Sequence, residues 1–315
     1  MKYVIGVDLG GTFLKAGAVS EQGEVLHQIS VPSDAEIDPK AVVQRIASAV
    51  QVIKEKFGDD QLLGVGIGAP GIVDLDGGTV KFPPNFANWT EFRLGEEVAN
   101  LVGTCVQVEN DANAHAVGEL KFGAGKGMKN FVMVTLGTGM GGGIIIDEKV
   151  FRGESGGAGE IGHITIDYNG PLCNCGNHGC VEAYVGQKYL SQRVLEKLNS
   201  RPESILNKFV NGNGEKLDPK FISDAANQGD EFALEIWDET GSFVGTAIAS
   251  VLNVFDLSTV IVGGGVAKAG RPLMDSIDRS VKARVLSSLK PKVRVMQALL
   301  RNSAGILGAA ALISD

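Results

Sequence analysis

Three groups of residues in this sequence have the types and spacing to do chemistry. The first is the run GHITIDYNGPLCNCGNHGC, residues 162–180, which holds Cys173, Cys175 and Cys180, three of the four cysteines in the chain. His163 and His178 lie in the same run. Structural zinc is held by four thiolate or imidazole ligands in a tetrahedron. Three thiolates and one imidazole complete such a set, and Gly176 and Gly179 let a short loop wrap an ion. The residues leave the imidazole open between His163 and His178. A Cys-x-x-Cys redox pair is absent, and a reducing compartment disfavours a disulfide. With no ligand position left for water, the metal is expected to be structural. Glu160 and Glu182 bracket the loop, so closing it on a metal brings two distant carboxylates to one place. Cys105 stands apart and reads as a small buried hydrophobe.

The second group is the pair Asn110–Asp111 in VQVENDANAHAVGE, where a strand ends and a helix begins. Ligands of parallel α/β sheets collect at the carboxyl ends of strands. A carboxylate at this junction either caps the helix or serves a ligand, and the two roles compete for the same oxygens.

The third group is glycine-rich. DLGGTFLK supplies Asp8, Gly10, Gly11, Thr12 and Lys15; TLGTGMGGG supplies Gly137, Thr138 and Gly139; IVGGGV supplies Gly264 and Gly265. Backbone N–H groups in such turns can clamp phosphates. Asp8 is placed to hold Mg²⁺ through water, since magnesium takes few carboxylates and completes its shell with substrate phosphates. Gly137 and Thr138 are expected to meet the transferring phosphoryl group. No G-x-x-x-x-G-K-[ST] loop is present. Gly137, Gly139 and Gly142 do match G-x-G-x-x-G, but Ile144–Ile146 continue as a strand. A dinucleotide site needs a helix at that point, so the match is a decoy.

These groups need elements to position them. Residues 3–26 read as strand, Gly turn, strand and a second turn, and residues 131–151 repeat the pattern. Thr135-Leu136-Gly137 lies 127 residues after Asp8-Leu9-Gly10, which suggests two related halves. A helix is predicted over 39–57, started at Asp38-Pro39 and stopped at Gly58, with Val43, Ile46, Ala47, Val50, Ile53 and Phe57 on one face. LLGVGIGA reads as a strand ending in the Pro70-Gly71 turn, and TCVQVEN as a short strand with a helix after it. Further helices are predicted near 182–199, 218–228, 230–254, 271–287 and 303–313, with strands at 259–262 and 292–297. Strands alternating with helices mean α/β with largely parallel sheets, to which the hairpins add antiparallel strands.

The three glycine motifs together resemble the sugar-kinase branch of the actin-like ATPase superfamily. Glu160-x-Gly162-His163 followed by Cys173-x-Cys175-Gly176-x-x-Gly179-Cys180-x-Glu182 is similar to the ROK family (repressor, open reading frame, kinase), its bacterial glucokinase members in particular. The resemblance implies a two-lobed actin-like ATPase or ribonuclease H-like fold, with mixed sheets, helices and an active-site cleft between the lobes. It places 1–115 plus 300–315 in an N-terminal lobe and 116–299 in a C-terminal lobe. It implies His163 as the fourth zinc ligand, with His178 an exposed loop residue, and Asp111 as catalytic base. It implies Asn85, Asn110, Asp111, Glu160, His163 and Glu182 as sugar contacts, and Mg²⁺ with ATP as the second metal requirement. The activity it implies is ATP-dependent phosphorylation of the 6-hydroxyl of an aldohexose, D-glucose first. N-acetylmannosamine, N-acetylglucosamine, mannose or fructose are the alternative acceptors, and polyphosphate an alternative donor. Family members are often dimers, so a homodimer is expected.

Composition bounds the rest. The 315 residues are enough for two domains, and 44% hydrophobic residues allow a sizeable core. A net charge of -8 with no run of Lys or Arg argues against a nucleic-acid surface. A sugar-sensing repressor is the rival reading. It needs an N-terminal DNA-binding segment, whereas the first hairpin here begins at residue 3. That start, without a cleavage site, predicts no signal peptide, and no run is apolar enough to span a membrane. A cytoplasmic protein with no membrane partner is expected.

Overall fold

The computed structural model describes residues 1–74, 78–84, 86, 88–210 and 217–313. The opening run forms β1 (Tyr3–Leu9) and β2 (Phe13–Ser20), paired antiparallel. A third strand, β3 (Val25–Pro32), follows where the sequence reading expects only a turn. It alternates half-buried with exposed residues, the pattern of a sheet edge rather than an apolar run. Helix α1 (Pro39–Phe57) keeps the predicted bounds. The Asp38 side chain accepts the Ala41 N–H at 2.8 Å, and the Gly58 N–H donates to Lys54 O as the helix ends. Val42, Val43, Ile46, Ala49, Val50 and Ile53 form its buried stripe.

The chain continues through β4 (Leu62–Ala69), the short strands β5 (Ile72–Asp74), β6 (Thr79–Lys81) and β7 (Glu91–Phe92), and α2 (Leu94–Val102). Then come β8 (Val106–Asn110) and α3 (Asp111–Phe122). The first sheet has the order β3-β2-β1-β4-β8, with β1–β4 and β4–β8 parallel; β5-β6-β7 form a small antiparallel sheet.

The second half begins with β9 (Phe131–Leu136), β10 (Met140–Ile146) and β11 (Lys149–Val150). Helices α4 (Glu182–Val185) and α5 (Gln187–Leu198) replace the one helix predicted over 182–199. The break is at Gly186, whose extended backbone stands between them and fits tightly: a Cβ there would lie 3.0 Å from the Thr138 carbonyl and 3.1 Å from that of Glu182. Then follow α6 (Pro219–Asn227), α7 (Glu231–Phe255), β12 (Thr259–Gly263), α8 (Arg271–Arg284), β13 (Arg294–Gln297) and α9 (Ala304–Ala311). The second sheet runs β11-β10-β9-β12-β13, with β12 parallel to both β9 and β13. Place by place this is the order of the first sheet: a hairpin with an edge strand on one side, two parallel strands on the other. The 127-residue offset between the motifs therefore has a counterpart in topology, and the mixed α/β architecture is the expected one.

Packing divides the chain into two compact units. One comprises Met1–Lys129, Gly143–Gly159 and Leu299–Asp315; the other comprises Asn130–Gly142 and Glu160–Ala298. In the first unit, α1 and α2 cover one face of the sheet over a core that includes Ile5, Val7, Leu14, Ile46, Ile67, Leu94 and Val98. Fully burying an aliphatic side chain is worth ~1.5–3 kcal/mol, so this core contributes substantially to the unit's stability. The other face is covered by α9, which approaches the strands backbone to backbone. A Cβ on Gly6 would run into the Ile306 carbonyl, and one on Gly66 into that of Ala309. Gly308 in turn leaves no space for a Cβ against the Ala114 carbonyl of α3.

Candidate active site and metal centre

In the first unit the Asn110–Asp111 pair is fixed by the strand-to-helix junction. Asn110, not Asp111, caps α3: its Oδ1 accepts the N–H groups of Ala112 (2.9 Å) and Asn113 (3.1 Å), and its Nδ2 donates to the Gly71 carbonyl at 3.0 Å. The predicted competition for Asp111 is thus largely relieved. Its Oδ1 also accepts the Ala112 N–H at 2.8 Å, but the cap does not depend on it. Asp111 is half-buried, and desolvation pushes its carboxyl above the ordinary aspartate range. The nearby His115 pulls it back, as does the bond from Ala112, while the charge of Asp8 pushes it up again. A raised value suits a group that must take up a proton.

Sequence reading passes over His115 and Glu109, both tied to this pair. His115 Nδ1 lies 2.7 Å from the Asp111 main-chain oxygen, so it carries the proton it donates there. The signal was its i+4 spacing from Asp111 on a helix. Glu109 accepts the Asn110 N–H at 2.9 Å.

Asp8 ends β1 opposite Lys15 in the antiparallel register. The first turn of α9 lies against it, since a Cβ on Gly305 would strike the Asp8 carboxyl group. A carboxylate is favoured beside a helix N-terminus. The turn between β1 and β2 closes with the Gly10 N–H donating to Phe13 O at 3.0 Å, leaving Gly11 half-buried and Thr12 exposed. Asn85 lies outside the described residues.

The second unit holds the other glycine turns. The Gly137 N–H donates to Gly139 O at 2.9 Å, and Met140 begins β10 rather than a helix, as the decoy reading requires. Gly263 pairs with Thr135 across the parallel strands β12 and β9, so Gly264 and Gly265 sit beside Gly137 at the carboxyl ends of both. Gly264 has φ +90° and lies against the Leu136 backbone, a place only glycine fits. From the other side the Gln187 N–H donates to the carbonyls of Gly137 (3.0 Å) and Thr138 (3.1 Å). Glu182 Oε2 accepts the Met140 N–H at 2.9 Å.

His163, Cys173, Cys175 and Cys180 present ligand atoms that all lie within 4.8 Å of one another. His163 Nδ1 is 3.7 Å from Cys173 Sγ, and the sulfurs of Cys175 and Cys180 are 3.6 Å apart. Atoms about 2.3 Å from a tetrahedral centre lie about 3.8 Å apart, so the donor set fits zinc. Burial pushes the Cys180 thiol up to about 12 and that of Cys173 upward, while the Asn177 N–H pulls Cys175 down. Three neighbouring thiolates therefore need a cation to coexist. His178 takes no part: it is exposed, and its Nδ1 faces the Gly170 carbonyl at 3.1 Å. The other nitrogen of His163, Nε2, is 3.9 Å from Glu160 Oε2, and Glu182 Oε1 is 4.0 Å from Cys173 Sγ. The loop thus gathers both carboxylates around its ligands. Cys105 is exposed, not buried as expected: it follows a turn ahead of β8, before the buried part of that strand begins.

Among the described residues no helix is long and apolar enough to cross a membrane. A family model described as "ROK family" matches residues 4–315. The chain is 41% identical over 318 residues to the glucokinase of Streptomyces coelicolor, covering 100% of this chain and 98% of that protein. It is 38% identical over 312 residues to the glucokinase of Thermotoga maritima, covering 99% and 97%. Among solved structures, a ROK family glucokinase from Streptomyces griseus in complex with glucose and AMPPNP superposes with a TM-score of 0.86 at 40% identity, covering 98% of each chain.

Proposed function

This chain belongs to the ROK family, and on that premise we propose that it transfers the γ-phosphoryl group of ATP to the 6-hydroxyl of D-glucose. The observation that carries the reading is the Asn110–Asp111 junction, where a separate cap leaves a carboxylate of raised pKa at the carboxyl end of a strand. The glucokinases at 38–41% identity over the full chain support the acceptor, and the glucose–AMPPNP complex of a relative supports both substrates.

Asp111 is the general base. As the bond from O6 to phosphorus forms and the bond to the ADP oxygen breaks, the hydroxyl proton passes to the Asp111 carboxylate and the bonding pair leaves with ADP. The transition state is loose, so the proton moves late and alignment counts for most. Asn110, held at both ends of its amide, is a sugar contact, as are Asn85, Glu160, His163 and Glu182. Asp8 is the carboxylate for hydrated Mg²⁺, which offsets phosphate charge. Gly10, Gly11, Thr12, Lys15, Gly137, Thr138, Gly139, Gly264 and Gly265 are the nucleotide contacts. Zinc is the proposed occupant of His163, Cys173, Cys175 and Cys180, with a structural role: it holds Glu160, His163 and Glu182 in place for sugar hydroxyls. The working form is a cytoplasmic homodimer.

A panel of sugars assayed with ATP tests the reading. D-glucose should give the highest kcat/KM, with N-acetylmannosamine, N-acetylglucosamine, mannose and fructose below it. A higher value for any of these would reassign the acceptor, and no turnover of any hexose would sink the kinase reading.

A further inference from the structure

Directly before the Asn110–Asp111 pair stands a charged group with no ascribed part in the reaction. Glu109 is 2% exposed, and both carboxylate oxygens are engaged. Oε1 accepts the Asn110 N–H at 2.9 Å and Asn113 Nδ2 at 3.2 Å. Oε2 accepts Arg152 Nε at 2.8 Å and Nη2 at 2.7 Å. One carboxylate therefore grips the peptide that enters the catalytic pair and the side chain one turn further along α3.

Arg152 comes from the stretch just after β11. Its carbonyl accepts the Ala158 N–H at 3.2 Å, closing a loop with positive φ at Gly153 and Gly156. A Cβ on Gly156 would meet the Val73 carbonyl at 2.5 Å, so the loop packs against β5. The Pro70-Gly71 turn just ahead of β5 supplies the carbonyl that takes Asn110 Nδ2. Both anchors of Asn110, its N–H on Glu109 and its amide on Gly71, thus trace to one small framework of β5, the 152–158 loop and the ion pair.

A buried carboxylate persists only where its charge is met and its lone pairs are filled. Replacing a whole buried ion pair by packed apolar side chains is often neutral or stabilising, so the Glu109–Arg152 pair points to a demand for fixed geometry rather than for stability. We infer that Glu109, clamped by Arg152, is a positioning residue that sets the Asn110 peptide and through it the aim of the Asp111 carboxylate. The inference rests on Asp111 being the base. Glutamine at 109 offers one acceptor oxygen in place of two and cannot serve Arg152, Asn110 and Asn113 together.

The test is steady-state kinetics on Glu109→Gln, Arg152→Met, Arg152→Lys and Asp111→Asn, with glucose affinity and thermal melting measured on each. Displacement of a catalytic group by about 1 Å costs about 10²-fold in rate. Glu109→Gln should therefore lose about that in kcat while KM for ATP stays within about twofold of native. Arg152→Met should do the same, and Arg152→Lys should recover part of the loss. In the Asp111→Asn background, Glu109→Gln should cost nothing further, because residues acting as one unit are not additive. Native kcat in Glu109→Gln, or the full loss repeated on top of Asp111→Asn, would overturn the inference. If Glu109→Gln fails to fold, the two Arg152 variants decide by the same criteria. Unimpaired turnover in Asp111→Asn alone would instead refute the base assignment, a result obtained with Glu109 native.

Discussion

The Asn110–Asp111 junction and the Cys173–Cys180 loop are both short, polar and rich in candidate roles, yet they hold their shape by different means. The junction is fixed by the chain itself. Asn110 makes three side-chain hydrogen bonds to backbone groups, Glu109 is clamped by Arg152, and α3 lies on the backbone of α9. The loop has hydrogen bonds of its own, with the Cys173 N–H donating to Asn177 O at 2.8 Å and the Gly179 N–H to Pro171 O at 2.8 Å, but its buried side chains are Cys173 and Cys180, and most of its other residues are exposed. What sets it apart is the convergence of four ligand atoms. The junction should keep its geometry without an ion, whereas the ligand set should need one to stay together.

The largest effect is expected at the junction. Asp111→Asn should lower kcat by about 10²–10⁴ with glucose affinity near native, as measured by turnover and by calorimetric titration. Metal content should stay at one ion per chain, which separates the two regions.

Next comes Glu119, at the far end of α3. It is fully buried, and its carboxylate accepts the N–H groups of Ala124 (2.7 Å), Leu300 (2.9 Å) and Leu299 (3.2 Å). Glu119→Ala strands all three donors and should cost about 3 kcal/mol or more in urea unfolding. Zinc content of the folded variant should again be unchanged; a loss of zinc would tie the loop to the stability of the junction.

The converse experiment is Cys175→Ser. It should abolish zinc binding, read by metal analysis, and raise the sugar KM by roughly an order of magnitude. Metal-free protein with a native KM would show that the loop holds itself.

The smallest effect is a pH dependence confined to the junction. Because the folded-state pKa of Asp111 is raised, the acid limb of kcat/KM should lie above the ordinary aspartate value of about 3.9. The sign for stability is opposite to that of a paired carboxylate. Between the unfolded and folded pKa values the native state binds the extra proton, so the ionised carboxylate costs stability at neutral pH, and the cost fades as pH falls through the folded pKa. Asp111→Asn should therefore be more stable than the native protein at pH 7, with the difference shrinking in acid.

Much of this was legible where one residue type has one physical meaning. Asp38-Pro39 and Gly58 bound α1, and three cysteines in eight residues announce a cluster. The strand after Gly142 excludes a dinucleotide loop. Legibility fails where the third dimension decides. β3 is an edge strand without a continuous apolar run, and α2 follows Arg93 with no side-chain cap, so the strongest local signals are missing; alternation in β3 and Gly103 at the end of α2 are the weaker cues. The helix predicted near 182–199 runs through Gly186, and the break there shows only in three dimensions, with the Thr138 carbonyl close beside it. The choice between His163 and His178 could not be made from spacing, because it depends on which ring turns toward the sulfurs. The Glu109–Arg152 pair joins residues 43 positions apart, and nothing in either neighbourhood names the other.

The seating of α9 on β1 also sets a timetable for synthesis. Ile306 is 300 positions after Gly6, the residue its carbonyl touches. At about 5–20 residues per second, the ribosome delivers it about 15–60 s later. Through that interval one face of the first sheet waits uncovered for the helix that packs on it.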